Sequence, residues 1–220
     1  MDMAEVGQIE TSGLRGEFKR NEPMRKHVSW RAGGVADRTY TPADLDDLRV
    51  FLGRIPEHEP VLFVGLGSNL LIRDGGLRAT VVFTHRVLGR FFLQESPGYA
   101  EVYAEAGVAS PKVARFAAVH NFEGAEFLAG IPGTVGGALA MNAGAFGGET
   151  WRQVVSVEVI GRDGSRRTRL GREYQVSYRR VGAPANDEWF LAAELEFAPR
   201  DAAAAGAVRE LAQLRKQTQP

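Results

Sequence analysis

Gly130-Ile131-Pro132-Gly133-Thr134-Val135-Gly136-Gly137-Ala138-Leu139-Ala140-Met141-Asn142-Ala143-Gly144-Ala145-Phe146-Gly147-Gly148 is the stretch on which the reading of this chain turns. Seven of its nineteen residues are glycine, against about 7% in an average protein. Tight packing of a helix on a sheet explains some glycines. It does not call for Gly130, Gly133, Gly136 and Gly137 together in one apolar context. Close approach of the backbone to a large flat cofactor and its pyrophosphate accounts for that density better. The candidate cofactor contacts here are Gly130, Ile131, Pro132, Gly133, Thr134, Gly136, Gly137, Asn142 and Gly144.

Upstream, Val61–Val64 is a short continuous apolar run, which reads as a buried strand. Gly65-Leu66-Gly67-Ser68-Asn69 follows at once, with Leu70 behind it. Glycines there let the chain turn tightly, successive free N–H groups form an anion-binding nest, and Ser68 and Asn69 add side-chain donors. A strand–turn–strand needs glycine anyway, so this segment alone does not establish a phosphate site. It is not a dinucleotide fingerprint, since GxGxxG is absent, and no GK[ST] of a Walker loop occurs. Two further segments stand out. In Ser29-Trp30-Arg31-Ala32-Gly33-Gly34, Trp30 fits a core position, while Arg31 suits either a phosphate or a helix end. In Ser177-Tyr178-Arg179-Arg180, the Arg fork beside an aromatic ring suits a carboxylate or a developing enolate. A solvated basic turn is the commoner meaning of such a run.

The remaining pattern indicates an α+β chain in two lobes. Residues 35–40 read as a strand. A helix is expected from Thr41-Pro42 to about Leu52, with Asp44 completing a capping box. Residues 70–72 and 79–83 read as strands, as do 88–95 and 100–106, paired across Ser96-Pro97-Gly98. Ser110-Pro111 opens a helix of about eleven residues. Residues 154–161 and 165–170 form a hairpin about Asp163-Gly164, and 188–198 a last strand. The expected organisation is a loose tail over 1–24, one lobe over 25–85, a second over 86–200, and an amphipathic helix within 201–220.

Composition narrows the function. Lys plus Arg and Asp plus Glu are 27 each among 220 residues, so the basic excess of a duplex-binding protein is missing and no nucleic-acid partner is expected. The absence of cysteine excludes disulfides, thiolate metal sites and Cys nucleophiles. Four scattered histidines, at 27, 58, 85 and 120, give no metal-ligand spacing, so no metal is expected. No apolar run approaches the ~20 residues of a membrane span, and no signal peptide opens the chain; a cytoplasmic protein is expected.

The four segments, in this order, resemble the successive signatures of the UDP-N-acetylenolpyruvoylglucosamine reductases. SWRAGG (29–34), GLGSNLLIRDGG (65–76), GIPGTVGGALAMNAGAFGGE (130–149) and SYRR (177–180) carry the resemblance, which covers about residues 27–220. It implies an FAD-binding domain of the vanillyl-alcohol-oxidase (PCMH) type, two α+β lobes with FAD held between the two glycine segments. It also implies that NADPH reduces the flavin, which then reduces UDP-N-acetylglucosamine enolpyruvate to UDP-N-acetylmuramate. Arg179 is by that resemblance the catalytic arginine, binding the substrate carboxylate together with Tyr178 and steadying the enolate-like charge. The family continues past a stretch like RKQTQP (215–220) into a third domain that supplies a proton-donating serine and a glutamate, so neither is assigned here and weak turnover is expected of this chain alone. Phe146, Val28 and Val181 stand where the family often has Tyr, Thr and Ser. Competing readings are another flavin oxidase of this fold, disfavoured because neither glycine segment holds a tethering His or Cys, and an FAD-binding module without catalysis.

Overall fold

The polar run Glu17–Pro23 is a strand, β1, although nothing in its composition announces one. It lies within the stretch expected to be a loose tail. The computed structural model describes residues 9–96 and 99–199. β1 pairs antiparallel with β2 (Val35–Thr41). The helix α1 (Leu45–Leu52) follows, capped by Asp44, whose carboxylate accepts from the Asp47 N–H at 2.9 Å. The expected start at Thr41 is thereby corrected: Thr41 closes β2, and the cap falls on the next acid. α1 leads to β3 (Val61–Val64), and β4 (Leu77–Phe83) inserts between β2 and β3, parallel to both. The first sheet thus runs β1-β2-β4-β3. Residues 70–72, expected as a strand, belong to no strand; Ile72 is instead buried with Met24, Val28 and Phe83 under the loop.

The second sheet is antiparallel. β5 (Phe91–Ser96) pairs with β6 (Tyr99–Glu105), as expected, although Pro97 and Gly98 of the turn lie outside the described residues. α2 (Ser110–Val119) follows, then a two-residue strand β7 (Phe122–Glu123). The glycine-dense segment holds α3 (Val135–Met141) and the short pair β8 (Gly144–Ala145) and β9 (Gly148–Glu149). β10 (Val154–Gly161) and β11 (Arg166–Leu170) form the expected hairpin. A small hairpin of β12 (Gln175–Ser177) and β13 (Arg180–Gly182) comes next, then β14 (Glu188–Pro199). The order is β11-β10-β14-β6-β5, with β7 on the end of β14. The helix expected within 201–220 lies outside the described residues.

α2 and α3 cover one face of the second sheet, burying Leu139 and Val113 against Val102, Val157 and Leu195. α1 buries Leu48, Phe51 and Leu52 not only on Tyr40 and Val82 of the first sheet but also on Ile160 and Leu191 of the second. Each such side chain contributes about 1.5–3 kcal/mol, so the two lobes share a core near the expected boundary at residue 85 and are held in fixed relation.

Candidate functional site

The two glycine segments, more than sixty residues apart in sequence, touch. A Cβ added to Gly65 would stand 2.9 Å from Thr134 Cγ2, closer than real side chains come, so only glycine lets these loops meet. A Cβ added to Gly133 would lie 3.3 Å from Ser68 Oγ. The Arg31 segment joins the same seam. The Ser29 N–H donates to the Gly67 carbonyl at 3.2 Å, and Gly34 N–H to Arg73 at 3.1 Å. Gly67 has φ +62°, and its Cβ position is filled by the His27 carbonyl, so no other residue fits there. Arg31 closes a turn through its N–H to Val28 at 3.1 Å and points its side chain to solvent beside the exposed Trp30. Trp30, at 68% exposure, is therefore not the core residue its type suggested. Leu66, Asn69, Pro132 and Gly137 are exposed along the seam, whereas Ile131, Gly133 and Thr134 are buried in it and Leu70 half-buried.

Not every glycine of the motif faces outward. The Val135 and Gly136 N–H groups are spent on the Val108 and Ala106 carbonyls, at 2.8 and 2.9 Å. A Cβ on Gly136 would stand 2.8 Å from that of Ala106, and one on Gly130 would stand 2.6 Å from the Phe146 ring. Gly144 is pressed against Gly148 and Glu149. Asn142 engages both ends of its amide: Nδ2 donates to Glu149 Oε2 and Oδ1 accepts from the Trp151 N–H, both at 3.1 Å. The side-chain faces of Gly130, Gly136, Asn142 and Gly144 are thus used in packing. Gly137 differs. Its Cβ position is open, with only Thr134 Oγ1 within 4 Å, and its N–H donates to that hydroxyl at 3.4 Å.

Tyr178 and Arg179 form the tip of the β12–β13 hairpin, and β13 lies against α3. Arg179 has φ +53°, and its guanidinium sits 5.7 Å from the Tyr178 ring centre. Both side chains are exposed, Tyr178 at 86%, and Arg179 forms no ion pair among the described residues. The tip thus presents a free cation rather than the water-poor pocket that anion stabilisation favours.

The FAD binding domain family matches residues 36–168, more than half of the chain. A UDP-N-acetylenolpyruvoylglucosamine reductase from Nitrosospira multiformis is 49% identical over 100% of this chain and 70% of its own length. The chain belongs to the UDP-N-acetylenolpyruvoylglucosamine reductase family. A reductase from Alkalilimnicola ehrlichii is 52% identical over 93% of the chain and 67% of its own length. The crystal structure of the UDP-N-acetylenolpyruvylglucosamine reductase from Thermus caldophilus superposes with a TM-score of 0.75 at 26% identity, covering 94% of this chain and 71% of the other. Cholesterol oxidase from Brevibacterium sterolicum, at 14% identity and a TM-score of 0.63, shares the fold. The family assignment agrees with the expected two-lobed PCMH-type α+β architecture.

In this reductase-family chain a cleft of about 600 Å3 opens on the first-sheet side of Gly65 and Leu66. Its wall includes His27, stacked on Phe83 at 4.3 Å and bonded through Nε2 to Glu22 at 3.0 Å, which holds that carboxylate below its usual pKa. His85 also lines it, together with Gly65. Burial pushes the His85 pKa down, and the nearby Arg86 and His27 add to the effect. Its buried Nδ1 has no partner among the described residues. Sequence reasoning gave His85 no role, because a lone histidine after a strand has no pattern to betray its place beside the glycine loop. No helix among the described residues is long and apolar enough to cross a membrane.

Proposed function

We propose that the chain reduces UDP-N-acetylglucosamine enolpyruvate to UDP-N-acetylmuramate, with NADPH as electron donor and FAD as carrier, in the cytoplasmic synthesis of a peptidoglycan precursor. The observation that carries this is the seam between Gly65 and Thr134 and between Ser68 and Gly133, in a chain about half identical to such reductases. The seam fits FAD: it is a backbone surface that any Cβ at Gly65 would disrupt, bordered by exposed polar and apolar groups. Gly65, Leu66, Gly67, Ser68, Asn69 and Leu70 would hold the cofactor from one side. Ile131, Pro132, Gly133, Thr134 and Gly137 would hold it from the other, with Arg31 beside its phosphates. Gly130, Gly136, Asn142 and Gly144 support that wall from behind.

Bound FAD supplies the two-electron transfer from NADPH to the enolpyruvyl double bond. The chain's own part is placement and charge. Arg179, without an ion-pair partner among the described residues, offers a two-donor fork to the substrate carboxylate. As the double bond is reduced, negative charge builds next to that carboxylate, and the Arg179 guanidinium, exposed in the free hairpin, would steady it more than the ground state once bound substrate excludes water around it. Tyr178, against the same guanidinium, limits its directions.

The test is the visible spectrum of the purified chain. Flavin bands are expected, bleaching with NADPH and returning, slowly for this chain alone, when the enolpyruvyl UDP-sugar is added. Arg179→Ala should keep the bands and the bleaching while slowing their return by about 10²–10³-fold, the range for loss of one charge-stabilising donor. A chain that takes up no flavin after incubation with FAD, or an Arg179→Ala variant that reoxidises at the wild-type rate, would overturn the assignment.

A further inference from the structure

The glycine-dense segment and the Arg179 hairpin meet directly, where β13 lies against α3, and also through one indole. Trp151 stands in a short turn (Thr150–Arg152) just after β9. Its Nε1–H donates to the Leu139 carbonyl in the last turn of α3, at 2.7 Å. Its backbone N–H donates to Asn142, which ends α3 with φ +41° and is itself tied to Glu149. The indole also makes aromatic contacts. It lies 4.6 Å from the Tyr174 ring, tilted by 40°, and 6.0 Å from Phe190. Tyr174 is 7% exposed and is the residue immediately before β12. One turn of chain further, Val176 faces Val181 across the hairpin, and Val181 packs on the same core as α3. Beside the direct packing of β13 on α3, a second route from α3 to the Arg179 tip therefore runs through one hydrogen bond, one aromatic contact and a three-residue strand.

We propose that Trp151 is a positioning residue that couples the cofactor-facing helix α3 to the hairpin bearing Arg179. Fixing α3 against FAD fixes the indole, the indole fixes Tyr174, and Tyr174 sets where the tip stands. This rests on the reading that FAD lies along the Gly133–Gly137 wall. A merely space-filling indole would stabilise the fold equally with and without cofactor. A coupling indole makes the hairpin respond to cofactor, by linkage between two sites.

The experiment is amide hydrogen exchange over residues 175–182, with and without FAD, in the wild-type chain and in Trp151→Phe. The change keeps a ring against Tyr174 and removes the N–H to Leu139. Exchange in β10 and β14 serves as the internal reference for global stability. FAD should slow exchange in the wild-type hairpin. In Trp151→Phe that FAD-dependent slowing should shrink by about fivefold, the worth of one buried neutral hydrogen bond. Tyr174→Leu, which breaks the aromatic contact and leaves the Leu139 bond, should shrink it likewise and serves if Trp151→Phe does not fold. Equal slowing in wild type and variant, or no slowing in the wild type, overturns the proposal while leaving FAD binding intact. Failure of the wild-type chain to bind FAD overturns the underlying reading and the proposal with it.

Discussion

Gly137→Ala, set beside Gly136→Ala, separates the packing use of glycine from its cofactor use within one helix. Neither residue has positive φ, so backbone strain does not enter. At Gly136 the new methyl would stand 2.8 Å from Ala106 Cβ and 3.1 Å from the Ala106 carbonyl, which also accepts the Gly136 N–H. Overpacking of that kind costs about 1–3 kcal/mol, a fall in Tm of about 2–12 °C for a chain of this size. At Gly137 the methyl would meet only Thr134 Oγ1, at an ordinary 3.7 Å. Removing the conformational freedom of glycine from the unfolded chain then stabilises the apoprotein by about 0.5–1 kcal/mol, a rise of about 1–4 °C. If FAD lies against this open face, the same methyl takes space the cofactor needs, and a comparable 1–3 kcal/mol penalty weakens binding by roughly 5–150-fold. Circular dichroism melts of the two apoproteins and flavin titrations give both numbers. A Gly137→Ala protein that melts higher and binds FAD within about twofold of wild type would refute the placement of the cofactor on this wall.

Two further outcomes concern stability. Glu59, 7% exposed, accepts from both Arg38 and Thr80 inside the first sheet, so Glu59→Ala should cost about 3–5 kcal/mol as a broken buried pair; a urea midpoint shift equivalent to less than about 1 kcal/mol would contradict it. The folded-state pKa of His85 lies below the ordinary value near 6.5, so the unfolded chain binds the extra proton first as pH falls. Stability is then full above about pH 6.5 and is lost below it, towards the folded pKa. Melting temperatures measured between about pH 7 and pH 5 should fall more steeply in wild type than in His85→Gln, and parallel curves would remove His85 as the cause.

What sequence could carry was decided by where each element gets its stability. β2, β3, β10 and β14 are buried enough for apolar residues to mark them, and the Asp163-Gly164 turn marks its own hairpin. β1 is an edge strand of charged residues, EFKRNEP; its order comes from pairing with β2, a partner more than ten residues away, and leaves no local trace. Leu70–Ile72 shows the converse. Leu70 and Ile72 pack with Met24 and Val28 while Leu71 is exposed, and a run of three cannot tell a strand from a loop lying on a core. The Arg179 hairpin turns on Tyr178 and Arg179, with φ +53° at an arginine, so it lacks the Asn-Gly or Asp-Gly signal that would have exposed it.

The glycine-dense segment shows why motif density was readable when individual roles were not. A loop can offer bare backbone to a cofactor only if it is held rigidly from its far side, and backbone held at that distance needs small residues there too. Gly130, Gly136 and Gly144 meet that second demand against Phe146, Ala106 and Gly148; Gly133 and Gly137 lie where the first would be met, and Gly65, pressed on Thr134, serves both. Gly67 takes part in both, turning the loop while abutting the His27 carbonyl. Substitution at the rear positions should therefore damage the apoprotein and the holoprotein together, and substitution at the front should damage only the holoprotein. The glycine density answers both demands at once, and only coordinates separate them.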